Sequence, residues 1–249
     1  MDKHRDFGIT AAGLHILAMA LMLCDHMWAA LFPAEEWLTC VGRIAFPIFA
    51  FLLAEGYFHT RNLRRYLLRL LLGAVISEIP FNLFYSGGAL YPYHQNVIWT
   101  FFIALLLMAL LDRVRRRFRP LPAILLSAGV VGLGFLLGYG AMVDYYGVGV
   151  LTVLVFYFFR EKNLKCFLGQ LACLYILHVS ILGGYYYSFT FAGFQIQLVQ
   201  QGLALLALLP IWLYRGRQGH HSRAFQTFCY LFYPAHMLVL FAVREALLA

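Results

Sequence analysis

Asp25 and His26 stand side by side inside an apolar run, and Arg43, Glu78, Asn82 and His236 interrupt other such runs. In hydrocarbon a charged side chain costs at least about 2.5–3.5 kcal/mol, so each of these groups needs a partner or a task. A neutral imidazole is the natural proton acceptor near neutral pH. A carboxylate orients or pairs it, and an arginine or an amide stabilises a developing oxyanion. These residue types suit proton abstraction from an acceptor group, or a proton relay for a transported solute. The plainer alternative is an intramembrane ion pair, Arg43 with Glu78 or with Asp25, that serves packing alone.

The elements that hold them are apolar helices. Of 249 residues, 63% are hydrophobic and 12% charged, about half the charge of an ordinary soluble domain. Nine apolar runs fall near 8–32, 37–58, 66–85, 95–111, 121–138, 145–159, 166–183, 195–214 and 225–243. A transmembrane helix needs roughly 20 apolar residues, so the chain reads as an all-α polytopic membrane protein of about nine spans. The fourth and sixth runs are short. Residues 1–249 read as a single transmembrane domain. The N-terminal run is too long for a cleaved signal and is expected to stay as the first span.

Lys and Arg decide the topology. The connections after the even-numbered runs read HTRNLRR, DRVRRRFRP, REKNLK and RGRQGHHSR; those after the odd-numbered runs read PAEE, SGGALYPYH, GYGAMVD and GGYYYSFTFAG. The first set is basic and the second has no Lys or Arg, which puts Met1 in the cytoplasm and Ala249 outside. The same alternation accounts for the net charge of +8 without invoking nucleic acid. The five cysteines lack metal-ligand spacing and read as reduced packing residues.

With this topology the polar residues share a depth. Asp25, His26, Arg43, Glu78 and Asn82 lie in the outer half of their spans, His94, Gln95 and Asn96 open the fourth, and Asp144 sits at the outer mouth of the sixth. His236 falls near the middle of the ninth. An outward-opening polar cavity would gather them. Near the cytoplasmic face Glu55 and His59 are one turn apart and meet on one helix face. Arg61, Arg64, Arg65 and Arg69 are either topology signals or forks for the phosphates of a cytoplasmic cofactor.

The segments CDH (24–26), GRIAFPIFAFLLAEGYFHTRNLRRYLLRL (42–70), ISEIPFNL (76–83), QNVIWT (95–100) and FYPAHMLVL (232–240) resemble the TraX family, named for conjugative pilin acetylation. The resemblance covers the first 110 residues and the C-terminus; between them only the hydropathy matches. It implies an acetyltransferase that takes its acyl group from acetyl-CoA, distantly similar to sugar-modifying membrane acyltransferases of the acyltransferase-3 group, in which a histidine of an early span is essential. Carried over by motif, His26 is the leading catalytic residue with Asp25 as its partner, and Arg43, Glu78 and Asn96 fall in the other blocks. Arg61, Arg64, Arg65 and Arg69 are assigned to acetyl-CoA, and Asn82, Gln95, Asp144 and His236 to the acceptor. Adjacent helical residues point about 100° apart, so Asp25 faces His26 only if the helix breaks near Cys24; otherwise Glu78 or Asp144 orients the ring and Asp25 pairs Arg43. His26 acts as base or as a transiently acetylated nucleophile.

The expected partners are the lipid bilayer, acetyl-CoA and an acceptor of unstated identity (a sugar, a peptide amine or a small molecule), with a homodimer compatible and no metal or nucleic acid. The expected location is the cytoplasmic (inner) membrane of a bacterium. A proton-coupled transporter using Asp25, His26 and Glu78 as a relay is the alternative, although no internal repeat of the kind common in transporters is evident.

Overall fold

The computed structural model describes residues 8–191, 194–220 and 222–249. Helices dominate: α1 (Ala11–Ala30), α2 (Glu36–Gly42), α3 (Ala45–His59), α4 (Leu63–Ser86), α5 (Val97–Arg117), α6 (Pro120–Gly140), α7 (Tyr146–Phe158), α8 (Leu164–Leu174), α9 (Leu208–Leu213) and α10 (Arg223–Leu248). Side chains of Thr10, Asn62, Asn96, Asn163 and Ser222 cap their helices by accepting a backbone N–H of the first turn, which satisfies donors that have no partner inside the helix.

Among the described residues seven helical stretches are long and apolar enough to cross a bilayer, with α2 and α3 counted together and α8 counted with its extension to Leu182; two further apolar stretches, Tyr146–Phe158 and Gln200–Leu213, are shorter. The chain is a multi-pass membrane protein. The assignment of Met1 to the cytoplasm concerns residues outside the described set.

Three runs depart from a plain span. The second breaks at Arg43 and Ile44, between α2 and α3. Pro47 has no N–H for the Arg43 carbonyl one turn earlier, and its ring crowds that carbonyl. The seventh continues from α8 as a π-helical segment, Tyr175–Leu182. The eighth was expected as a helix from 195, but its first residues form a strand. In FQIQLV apolar and polar residues alternate with a period of two, the pattern of a strand rather than a helix. Strand β2 (Phe194–Val199) pairs antiparallel with β1 (Tyr186–Phe191), so that Tyr186 lies opposite Val199. A 3-10 segment, Gln200–Ala207, then leads into α9. The fourth run proves full length, because α5 carries its basic residues on to Arg117.

The short α7 is the centre of the bundle. Almost every residue from Gly147 to Tyr157 is buried, as expected of a helix that is apolar all round, and it packs on α3, α5, α6 and α8. By contrast Leu121, Ile124, Leu125 and Leu136 of α6 are exposed, the face a bilayer would cover. Backbones touch where α6 meets α7: a Cβ on Gly138 would lie 2.6 Å from the Gly147 Cα and from the Tyr146 carbonyl oxygen. Gly138→Ala should therefore destabilise the protein by about 1–3 kcal/mol, seen as a lower melting temperature in detergent. Gly129→Ala on the same helix, with nothing within 4 Å of its Cβ, should not.

The basic connections gather at one end of the bundle. The Ile9 amide donates to the Leu213 carbonyl at 2.9 Å, Arg160 pairs with Glu55 at 2.8 Å, and Lys162 donates to the Trp212 carbonyl at 3.2 Å. At the opposite end the Gln95 amide donates to the Met142 carbonyl at 2.8 Å, and the Asp144 amide to the Gln95 carbonyl at 3.0 Å.

Candidate functional site

α1, α3, α4, α5, α10 and the 141–146 turn contribute to the wall of a cavity of about 310 Å³ near the non-basic end, with Asp25, His26, Arg43, His94, Asp144 and Tyr145 in it. α1 runs unbroken through 24–26, so the helical geometry holds and Asp25 is not the partner of His26. Asp25 is ion-paired with Arg43 and accepts the Thr39 hydroxyl at 2.7 Å. The Arg43 Nε donates to the Thr39 carbonyl at 3.3 Å. The pair is mostly buried, with side-chain exposures of 14% for Arg43 and 18% for Asp25. Gly42 allows this approach, since a Cβ there would lie 2.4 Å from the Asp25 Cβ.

His26 meets His236 of α10 instead, its Nδ1 2.6 Å from the His236 Nε2. His236 is buried behind His26 and makes a second contact, Nδ1 to the Phe232 carbonyl, at 2.7 Å. Across the cavity the His94 Nε2 lies 3.4 Å from the Asp144 Oδ1, and the His94 ring stacks on Tyr85 at 4.8 Å between centroids. Tyr145 has a positive φ of 58°, a conformation uncommon outside glycine. Its amide donates to the Asp144 carboxylate at 3.0 Å and its ring stacks on Phe46 at 4.1 Å.

Glu78 and Asn96 form a different group. One amide nitrogen, Nδ2 of Asn96, donates to Glu78 and, at 2.9 Å, to the Ala74 carbonyl; the Trp99 indole also donates to Glu78, at 3.0 Å. The Asn96 Oδ1 caps α5. With both amide hydrogens committed and the residue fully buried, Asn96 has no donor left for an oxyanion in the cavity. Glu78 does not pair with Arg43. Asn82 is buried near the end of α4 and donates to the Ala89 carbonyl at 3.3 Å. The Gln95 side chain turns back to the Pro92 carbonyl at 3.0 Å. None of these four lines the cavity.

A second cavity, of about 420 Å³, extends to the basic end, where His59, Arg69, His220 and Gln218 stand in its wall. Of the four arginines assigned to acetyl-CoA only Arg69 lines it; Arg61, Arg64 and Arg65 are exposed away from it. Glu55 is held by Arg160 at 2.8 Å, while the His59 Nδ1 lies 2.8 Å from the Glu55 carbonyl oxygen. Met22, Phe49, Val97, Phe101 and Tyr233 line both cavities, so the two abut.

The profile of the TraX protein family matches residues 10–244. The chain belongs to the TraX family. A probable fimbrial assembly protein, FimC of serogroup H1 from Dichelobacter nodosus, is 29% identical over 259 residues, covering 98% of each chain. No solved structure matches. In this TraX-family chain the CDH and GRIAF blocks meet at the first cavity, to which ISEIPFNL and QNVIWT add Phe81 and Val97 while also supplying the separate Glu78–Asn96 group.

Sequence reasoning missed Tyr145 and Gln201, which line the first cavity, and it named His94 without giving it a role. Tyr145 carried no signal in the sequence, being one aromatic residue among many. His178 did carry one: it is an ionisable group inside an apolar run. Fully buried in the π-helical segment, it contacts the Thr152 hydroxyl oxygen through Nε2 at 3.1 Å, and its Nδ1 has no hydrogen-bond partner among the described residues.

Proposed function

We propose that this protein is a membrane acetyltransferase of the bacterial cytoplasmic membrane, moving the acetyl group of acetyl-CoA to an acceptor hydroxyl or amine. The observation that carries the reading is the abutting pair of cavities, with a base in one and cationic and imidazole groups at the far end of the other. Along α3 the distance from Phe46, at the first cavity, to His59, at the second, is about 20 Å at 1.5 Å per residue. That length suits a donor whose phosphates stay at the basic end while a thin pantetheine arm carries the thioester inward. The apolar shared wall fits such an arm.

In the reaction His26 takes the proton of the acceptor O–H or N–H as the acceptor atom attacks the thioester carbonyl. Arg43 and Tyr145, in the same wall, are the groups available to stabilise the oxyanion. Collapse breaks the carbon–sulfur bond, and the leaving thiolate takes the proton back from His26. The acetyl group ends on the acceptor and the donor leaves as a thiol. The family's name and the relative's link to fimbrial assembly make a surface-fibre subunit one acceptor to test. The transporter reading is less well supported. Asp25, His26 and Glu78 belong to three separate hydrogen-bonded groups, so they do not form a chain along which a proton passes.

The test is the melting temperature of purified protein in detergent against acetyl-CoA concentration. A ligand at about 100 times its Kd stabilises the folded state by roughly 2.7 kcal/mol. Stabilisation is expected, weakened by Arg69→Gln and unchanged by Arg64→Gln. No stabilisation over a wide concentration range would sink the proposal.

A further inference from the structure

Resting on the transfer reading, we infer that His236 is a positioning residue that fixes the tautomer of His26 and leaves its Nε2 as the proton-accepting atom. The His236 Nδ1 lies 2.7 Å from the Phe232 carbonyl oxygen, one helical turn away. A carbonyl only accepts, so that nitrogen carries a hydrogen. In the neutral ring the other nitrogen, Nε2, is then a bare acceptor. It lies 2.6 Å from the His26 Nδ1, so the hydrogen between the rings belongs to His26. The remaining nitrogen of His26, Nε2, therefore holds the lone pair.

The ring geometry supports this. The two imidazoles are 3° from parallel with centroids 4.9 Å apart. That separation equals the 2.6 Å contact plus a ring radius on each side, which is the arrangement of coplanar rings joined edge to edge rather than stacked faces. The hydrogen bond thus lies in both ring planes. Phe84 flanks His26 at 5.1 Å, and Phe232 stacks on His236 at 4.8 Å, which restricts rotation of either ring.

A carboxylate usually sets such a tautomer. Here the carboxylates in the cavity wall are engaged elsewhere, Asp25 with Arg43 and Asp144 beside His94. When His26 gains a proton in the reaction, its Nδ1–H still donates to His236, and the bond becomes charge-assisted. His236 therefore orients the base in the resting state and stabilises it once protonated.

The test combines nitrogen NMR of histidine-labelled protein with transfer assays, the His26 signals being identified by their loss in His26→Gln. The expected result is a hydrogen on Nδ1 and none on Nε2 of His26. In His236→Phe this preference should be lost, and transfer should fall roughly a hundredfold, within the range of a positioned base, with acetyl-CoA stabilisation unchanged. His236→Gln keeps an acceptor oxygen near the position of the Nε2 and should restore both the tautomer and most of the rate. A hydrogen on Nε2 of His26 in the unaltered protein would overturn the inference, as would folded His236→Phe protein working at full rate. If the unaltered protein consumes no acetyl-CoA, the transfer reading fails while the tautomer measurement still decides the hydrogen-bond order.

Discussion

His26→Ala should lower acetyl transfer by about 10²–10⁴-fold, the span of a positioned general base. The substitution removes an imidazole that faces a cavity rather than a filled core, so folding should survive. Two measurements separate the effects. Acetyl-CoA should still raise the melting temperature, because its proposed phosphate contacts lie at the basic end around Arg69. Release of free thiol should fall to the level of a blank. His26→Gln sharpens the comparison, since an amide keeps polarity in the wall but accepts no proton near neutral pH. Full activity in either folded variant would remove His26 from the chemistry and leave Tyr145 or His94 as the next candidates.

Asp25→Ala should destabilise the protein by about 3–5 kcal/mol, because it leaves the Arg43 guanidinium buried without its counter-ion. The Thr39 hydroxyl loses its acceptor in the same step. Asp25→Asn should keep the Thr39 contact and lose the charge, giving a smaller but still clear loss. The double variant Asp25→Ala, Arg43→Met should recover a large part of the stability, since no charge is then stranded. Chemical denaturation in detergent of the unaltered protein, the single variants Asp25→Ala and Arg43→Met, and the double variant gives the coupling as a double-mutant cycle. If Asp25→Ala and the unaltered protein melt alike, the ion pair does not hold α1 to the α2–α3 break, and the position of Arg43 in the cavity needs another cause.

How much was legible from sequence follows from which interactions are local. The spans and their alternating basic connections depend on residues a few positions apart, and hydropathy and loop charge expressed them directly. The FQIQLV strand was legible too, had its period of two been weighed against its apolar content. That Asp25 faces away from His26 in an unbroken helix also followed from helix geometry, but that α1 runs unbroken through Cys24 was decided by the structure.

What a residue meets across the bundle depends on helix rotation and tilt, which no local pattern contains. The sequence put Asp25, His26, Arg43, Glu78 and Asn96 at a common depth, but depth is one coordinate of three. Tertiary packing divided them into an Asp25–Arg43 pair, a Glu78–Asn96–Trp99 group and the His26–His236 bond. It also brought Arg69 rather than Arg61, Arg64 or Arg65 to a cavity wall, because Arg61 precedes α4, Arg64 points to another side of it, and Arg65, on the same face as Arg69, sits one turn nearer the helix start. The sequence by itself determined a multi-pass helical membrane protein with ionisable groups buried in one half of its spans, since hydrocarbon tolerates few alternatives. Only the tertiary structure decided which of those groups touch, because side chains 210 positions apart are brought to 2.6 Å by the packing of α10 on α1 and α4, and by nothing nearer in the chain.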